Sequence, residues 1–300
     1  MSDGELNEGQ IWEAAAFAAM HDGRPRPAGV EIPYDLLIAK NEEPEHARPA
    51  DRARPLETGA ADIARAAALI NNARFPVLYV GGGIVAAGAG AKLQRLAEKI
   101  GAPVVMSDNG RGALSDRHPL AMNTLAGRPL FEVADVAVVI GSRFMDSMLP
   151  HPSWPSDKIR YVFINIDDAD FTPPRKPTVA IQADAGAALD ALTDALTGRV
   201  VLAADDALRV KAWAQVQIDL LSPAAELVRA MRDALPEDGI FVNELTQVGY
   251  LARLAFSVYG PRSYIGPGYQ GTLGYSFPTA LGAAVGGGGK RVLAITGDGG

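Results

Sequence analysis

The chain has 300 residues, a hydrophobic fraction of 48% and a formal net charge of −7. That length suggests about two domains, and the apolar content is ample for buried cores and too high for a disordered chain. Arg and Lys are scattered among acids with no basic cluster, which argues against a nucleic-acid partner, and the absence of cysteine excludes disulfides and thiolate metal sites.

The amino terminus, Met1-Ser2-Asp3-Gly4-Glu5, is acidic and has no apolar signal core. No uninterrupted apolar stretch approaches the ~20 residues of a membrane span, so a soluble cytoplasmic protein with no membrane partner is expected. Residues 11–20 read as an apolar helix, and Val30-Glu31-Ile32 as a strand after the turn-rich Gly23-Arg24-Pro25-Arg26-Pro27. One helix and one strand cannot bury a core alone, so residues 1–39 are expected to be the tail of a domain. Residues 40–56 carry Pro44, Pro49, Pro55 and charges of both signs without apolar periodicity, which predicts a linker.

A first unit is expected over residues 57–200. Ile63, Ala67 and Ile70 give one apolar face to a helix over 60–71. The strand Val77-Leu78-Tyr79-Val80 follows, then Gly81-Gly82-Gly83, a helix over 90–100 and the strand Val104-Val105-Met106. Further strands are expected at 136–140 and 161–166, with a closing helix over 185–196. Alternating apolar strands and helices predict an α/β fold, a parallel-sheet three-layer sandwich with right-handed crossovers.

A linking helix (201–221) leads to a second, partial α/β unit over 222–300. Ser222 is expected to cap its first helix, with Pro223 at the first helical position. Then come the strand Ile240-Phe241-Val242, ending in Asn243-Glu244, helices near 247–256 and 278–285 flanking a glycine-rich segment, and the run Val292-Leu293-Ala294-Ile295-Thr296. This last run reads as a parallel strand buried on both faces, which needs covering helices. None follows it, so the chain is expected to be a piece of a longer enzyme, interrupted inside its cofactor site, with apolar surface left open and poor solubility.

Two motifs carry chemistry. Gly297-Asp298-Gly299-Gly300 stands at the carboxyl end of that strand, where doubly wound sheets hold phosphate and its metal. Glycines let backbone N–H groups approach a diphosphate, and Asp298 offers a hard oxygen to Mg²⁺; the same tripeptide is also a common turn. Gly81-Gly82-Gly83-Ile84-Val85-Ala86 fits G-x-G-x-x-A after a strand, and Asp108 follows the next strand, the outline of a dinucleotide fingerprint. A nucleotide site and a purely structural glycine turn both remain open for it. His21, His46, His118 and His151 have no metal-ligand spacing, and His118-Pro119 reads as a turn.

The segment Gly268-Tyr269-Gln270-Gly271-Thr272-Leu273-Gly274-Tyr275-Ser276-Phe277-Pro278-Thr279-Ala280-Leu281-Gly282-Ala283-Ala284, followed by Gly297-Asp298-Gly299, resembles the thiamine diphosphate-dependent enzymes of the acetolactate synthase and 2-oxoacid decarboxylase group. The resemblance extends through 23–35, 101–120, 134–144 and 164–167. It implies that Leu273 bends the cofactor, and that the Gly271 carbonyl and Leu273 amide, flanked by Thr272 and Gly274, hold the aminopyrimidine edge. It also implies that Asp298 ligates Mg²⁺ and that the amides of Gly299 and Gly300 face the diphosphate. Gln247 fits a Gln-His pair that contacts the diphosphate in synthases, and Val248 replaces the His.

By the same resemblance the middle unit holds FAD in acetolactate synthases and no flavin in many relatives. Gly81, Gly82, Gly83, Arg143, Asp167 and Asp184 are the positions where such contacts fall, solvated loop charges being the other reading of the last three. The implied activity is decarboxylation of a small-molecule 2-oxoacid followed by carboligation, as in acetolactate synthases; simple decarboxylation of a longer 2-oxoacid is the alternative. A homodimer or homotetramer is implied for the parent. The glutamate that drives cofactor tautomerisation and a second Mg²⁺ ligand lie outside these residues, so no catalysis is expected from the chain as given. An NAD-dependent oxidoreductase using residues 81–86 and a non-catalytic remnant are the readings from other classes.

Overall fold

A computed structural model describes residues 58–144, 158–171, 176–199, 201–268 and 271–299. The expected elements at 11–20 and 30–32, the linker at 40–56, and His21, His46 and His151 lie outside the described residues.

Helix α1 (Ala60–Asn71) opens the first unit and buries Ile63, Ala66, Ala67 and Ile70. Strand β1 (Pro76–Val80) is buried along its whole length. One helical turn, α2 (Gly82–Ala86), then leads to α3 (Gly90–Ile100). Leu93, Leu96, Ala97 and Ile100 recur at i, i+3, i+4 and i+7, so α3 presents one continuous buried stripe. It ends at Gly101, whose φ of 58° is the left-handed conformation in which the next amides return to the last carbonyls.

Strands β2 (Val104–Met106) and β3 (Ala121–Met122), helix α4 (Thr124–Val133), strands β4 (Val136–Ile140), β5 (Arg160–Asn165) and β6 (Val179–Gln182), and helix α5 (Ala185–Ala195) complete the unit. All six strands are parallel, in the order β3-β2-β1-β4-β5-β6. Leu78 pairs with Val104 on one side and Val138 on the other, and Val138 pairs in turn with Val162. The order runs outward in both directions from the β1–β4 pair. Right-handed crossovers therefore put the connecting helices on opposite faces, which is why β1, β2 and β4 are apolar at every position. Each fully buried Leu or Ile contributes about 1.5–3 kcal/mol.

Asp135, at the entry to β4, ties the sheet to the α1–β1 turn by accepting from the backbone N–H of Arg74 (2.7 Å) and Phe75 (2.9 Å). Burial works to raise its pKa, but these two bonds, with Arg160 nearby, hold the carboxyl below the ordinary aspartate value. A depressed carboxyl contributes stability above its unfolded pKa of about 3.9, and that stability is lost as pH falls through the folded value. Asp135→Asn is expected to cost about 1–2 kcal/mol at neutral pH. The difference from wild type should shrink in acid, measured by urea unfolding; an equal loss at both pH values would contradict the assignment.

Helix α6 (Ala204–Asp219) links the two cores: Ala207 and Ala214 join the first cluster and Ile218 the second. Helix α7 (Ala224–Ala234), strand β7 (Ile240–Val242), helix α8 (Gln247–Ala255), strand β8 (Tyr264–Ile265), helix α9 (Ser276–Gly286) and strand β9 (Val292–Ala294) form the second unit. Its sheet is parallel, ordered β8-β7-β9. Phe241 and Phe256 stack at 4.1 Å between ring centroids at its centre.

Three expectations are corrected. Ser222 is not a helix cap: the cap position is Pro223, with no side-chain acceptor, because turns wind almost directly from α6 into α7 (Ser222 N–H to Asp219 O, 3.2 Å; Ala225 N–H to Leu221 O, 3.3 Å). Helix α9 begins at Ser276 rather than Pro278. Strand β9 is parallel as expected but not buried: Val292 and Leu293 are half-buried and Ala294 exposed, since β9 is the sheet edge among the described residues. Open apolar surface continues on α9, where Phe277 (65%), Leu281 (55%) and Val285 (89%) are exposed. No helix among the described residues is long and apolar enough to cross a membrane.

Candidate functional site

Strands β7 and β9 are parallel neighbours, so the residues that leave their carboxyl ends emerge side by side, where an open α/β sheet receives ligands. Asn243 leaves β7 with its N–H donated to Ile265 O (2.7 Å), and Ile295 leaves β9 with its N–H donated to Val242 O (3.1 Å). The Asn243 side chain donates to Gly249 O (3.1 Å) and Tyr264 Oη (2.9 Å). Burial pushes the Tyr264 hydroxyl up to about 12, so it stays protonated.

Thr246 caps α8, its Oγ1 accepting from Gly249 N–H at 2.9 Å. Gln247, the first residue of α8, is exposed beside this turn, and Val248 is half-buried. Loop 271–275 turns over the same end of the sheet. Gly271 and Gly274 take positive φ (60° and 73°), which an L residue adopts only with strain. Thr272 is exposed, and Leu273 stands 66% exposed between the two glycines.

These loops converge. A Cβ built on Gly271 would collide with Leu245 Cδ1 at 2.6 Å, one on Gly297 would reach Thr246 Cγ2 at 3.4 Å, and one on Gly299 would reach Leu273 Cδ1 at 3.9 Å. Turn 244–247, loop 271–274 and turn 297–299 thus meet at one place, a cradle of backbone with one apolar side chain standing in it. Asp298 is exposed there, and no cluster of three metal-ligating side chains forms among the described residues. Gly300 lies outside them.

A second site lies at the β1–β4 switch point of the first sheet. A cavity of 630 Å³ opens there, lined among others by Gly81, Gly82, Gly83, Arg143, Asp184 and Arg253. The fingerprint glycines Gly81 and Gly83 pack against the turn after β4. Gly83 donates its N–H to Gly141 O (3.0 Å), and a Cβ on Gly83 would meet Gly141 Cα at 2.6 Å. The space that a second fingerprint glycine leaves for a diphosphate is therefore filled by the turn after β4. Asp108, the acid after β2, is paired with Arg253 of the second unit. Both contacts that an NAD fingerprint would use are already taken.

Asp184 lines the cavity while capping α5, its Oδ1 accepting from Gly186 N–H (2.8 Å) and Ala187 N–H (3.2 Å), so it is not a merely solvated charge. Asp167 is not among the lining residues: its Oδ1 accepts from Ala169 N–H (3.0 Å) in the turn after β5, where Asn165, Ile166 and Asp170 form the lining. Glu244, Asn165, Asp170 and Arg253 were not singled out by sequence. Glu244 carried a usable signal, as a carboxylate directly after a buried strand.

Two family models match the chain. That of the central domain of thiamine pyrophosphate enzymes matches residues 63–192, and that of their C-terminal, thiamine pyrophosphate-binding domain matches residues 246–300. The chain is 30% identical to the acetolactate synthase isozyme 1 large subunit of Escherichia coli (strain K12), over 95% of this chain and 52% of that protein. It is 32% identical to the probable 2-ketoarginine decarboxylase AruI of Pseudomonas aeruginosa, over 96% of this chain and 52% of that protein. It is 29% identical to the probable acetolactate synthase large subunit of Methanocaldococcus jannaschii, over 95% and 52%. The chain spans about half the length of these curated relatives.

Proposed function

The chain belongs to the thiamine pyrophosphate enzyme family, and on that premise we propose that it serves a thiamine diphosphate- and Mg²⁺-dependent enzyme that decarboxylates a 2-oxoacid. The observation that carries this reading is the convergence of turn 244–247, loop 271–274 and turn 297–299 at the carboxyl ends of β7 and β9. Such a cradle suits a diphosphate and a bent heterocycle. Backbone lies exposed at Gly299, and Leu273 stands exposed within reach of it.

In this reading Asp298 supplies an oxygen to Mg²⁺. The backbone of Gly299 and Gly300, with Gln247, holds the diphosphate. The Gly271 carbonyl and Leu273 amide orient the aminopyrimidine edge, and the Leu273 side chain supports the rings. Thr272 and Gly274 set the loop. When bound, thiamine diphosphate supplies an electron sink for the carbonyl carbon of the substrate.

Capture by a second carbonyl makes the enzyme acetolactate synthase-like, and this is the reading we carry first. Decarboxylation alone is the second reading, favoured by Val248, which puts an apolar half-buried side chain beside Gln247. Supplying Mg²⁺, thiamine diphosphate and pyruvate to the enzyme this chain serves, rather than to the chain alone, separates them. Release of CO₂ with acetolactate supports the first; CO₂ and an aldehyde from a longer 2-oxoacid, with no ligation product, supports the second. No CO₂ from any 2-oxoacid at saturating cofactor contradicts both.

For the 630 Å³ cavity we propose FAD as occupant, held without a redox role. Its size and Arg143 on its wall support a dinucleotide, although Arg253 is already paired with Asp108 and the diphosphate would have to lie away from Gly83. Flavin absorbance in the purified protein, or its retention after dialysis, tests this. A cytoplasmic homodimer or homotetramer is part of the same proposal.

A further inference from the structure

We propose that Glu244 is the positioning residue of the loop that would grip thiamine diphosphate, a role that rests on the cofactor reading above. Glu244 is the second residue after β7 and is 1% exposed. A carboxylate in that position is costly to bury without compensation. Among the described residues its compensation is not a cation but two consecutive backbone amides: Oε1 accepts from Gly274 N–H at 2.6 Å and Tyr275 N–H at 3.2 Å.

Those amides open helix α9, whose own sequence offers no cap, since Tyr275 occupies the cap position without a side-chain acceptor. Helix N-termini leave amides unpaired and carry partial positive charge. Glu244 therefore supplies, from 30 residues away, the acceptor that the local sequence lacks. The peptide that carries the Gly274 N–H also carries the Leu273 carbonyl, so the carboxylate anchors the chain immediately after Leu273. Among the described residues Oε2 is buried with no hydrogen-bond partner, and the two loop amides at Oε1 are the hydrogen bonds the carboxylate makes there. Two residues on, Thr246 caps α8. Turn 244–246 thus fixes the starts of both helices that face the cradle, one through each side chain.

The test is residue-resolved amide hydrogen exchange on the full chain, Glu244→Ala and Glu244→Gln, paired with titration of thiamine diphosphate in the presence of Mg²⁺. In Glu244→Ala, exchange at Gly274 and Tyr275 should accelerate about tenfold or more. Phe241 and Asn243, which donate to Ser263 and Ile265 carbonyls, should keep their protection. Cofactor affinity should fall in step, and Glu244→Gln, which retains an acceptor oxygen, should recover most of both. Unchanged exchange at the two amides in Glu244→Ala overturns the proposal. So does uniform loss of protection through β7 with Glu244→Gln no better than Glu244→Ala, which would make Glu244 a core group only. If wild type binds no thiamine diphosphate while the exchange difference persists, the cofactor reading falls and Glu244 remains an anchor of the loop alone.

Discussion

Replacing Gly249 with alanine is expected to collapse the candidate cofactor site and to destabilise the second unit by about 3 kcal/mol. Gly249 is buried in the first turn of α8, and its Cα faces the turn that leaves β7. A Cβ there would overlap the Glu244 carbonyl oxygen and press on Asn243 Oδ1 (2.9 Å) and Thr246 Oγ1 (3.0 Å). Two of these three obstacles belong to groups that cannot move cheaply. The Glu244 oxygen is backbone, and Thr246 Oγ1 is engaged in the helix cap, itself worth about 1 kcal/mol. With the two units melting together, the melting temperature should fall roughly 6–12 °C at the usual 2–4 °C per kcal/mol for about 150–250 residues, with loss of thiamine diphosphate binding. A melt within about 2 °C of wild type would mean that turn 244–246 is softer than its hydrogen bonding indicates.

The second large effect is expected at Arg111, which is 3% exposed and joins the two units. Its guanidinium donates to the carbonyls of Arg253 and Phe256 and to Asp116 Oδ2 (2.8 Å), and lies 5.6 Å from the Tyr264 ring centroid. Asp116, itself partly buried, in turn accepts from Val258 N–H at 2.8 Å, so one ion pair around the buried Arg111 stitches the loop after β2 to the segment after α8. Breaking a buried pair by removing one partner typically costs about 3–5 kcal/mol, because the remaining charge and acceptors are stranded. Arg111→Leu should lose that much and split the melt into two transitions as the units uncouple. Adding Asp116→Asn should recover part of the loss, since no carboxylate is then left unpaired. A single transition at the wild-type temperature would show that the units are joined elsewhere.

The central strands were legible because burial on both faces writes itself as an apolar run: β1, β4 and β5 stand where those runs are. Helix α3 was legible at both ends, from its 3.6-residue stripe and Gly101. Strands β3, β6 and β8 were not: each stands at the edge of its sheet, formed because a neighbour's edge was already in place. The strand order was equally hidden, since sequence records crossovers but not which edge receives them.

At the candidate site, the positions of Leu273 and Asp298 came from motif resemblance. What orders them came from contacts that no local pattern contains. Glu244 meets Gly274 across 30 residues, and Arg111 meets Phe256 across 145. The glycine fingerprint left two readings open for a related reason. Its spacing reports room beside the backbone, and only the fold shows that Gly141 occupies that room.

The cradle at β7 and β9 should bind thiamine diphosphate through Asp298. Calorimetric titration of the cofactor into wild type and Asp298→Asn, with and without Mg²⁺, measures this. Asp298 is exposed, so the substitution should leave the unliganded melting temperature unchanged. The predicted result is binding that requires Mg²⁺ and weakens at least about tenfold, or about 1.4 kcal/mol, in Asp298→Asn. Wild-type affinity indifferent to Mg²⁺, or equal affinity in the variant, would contradict it.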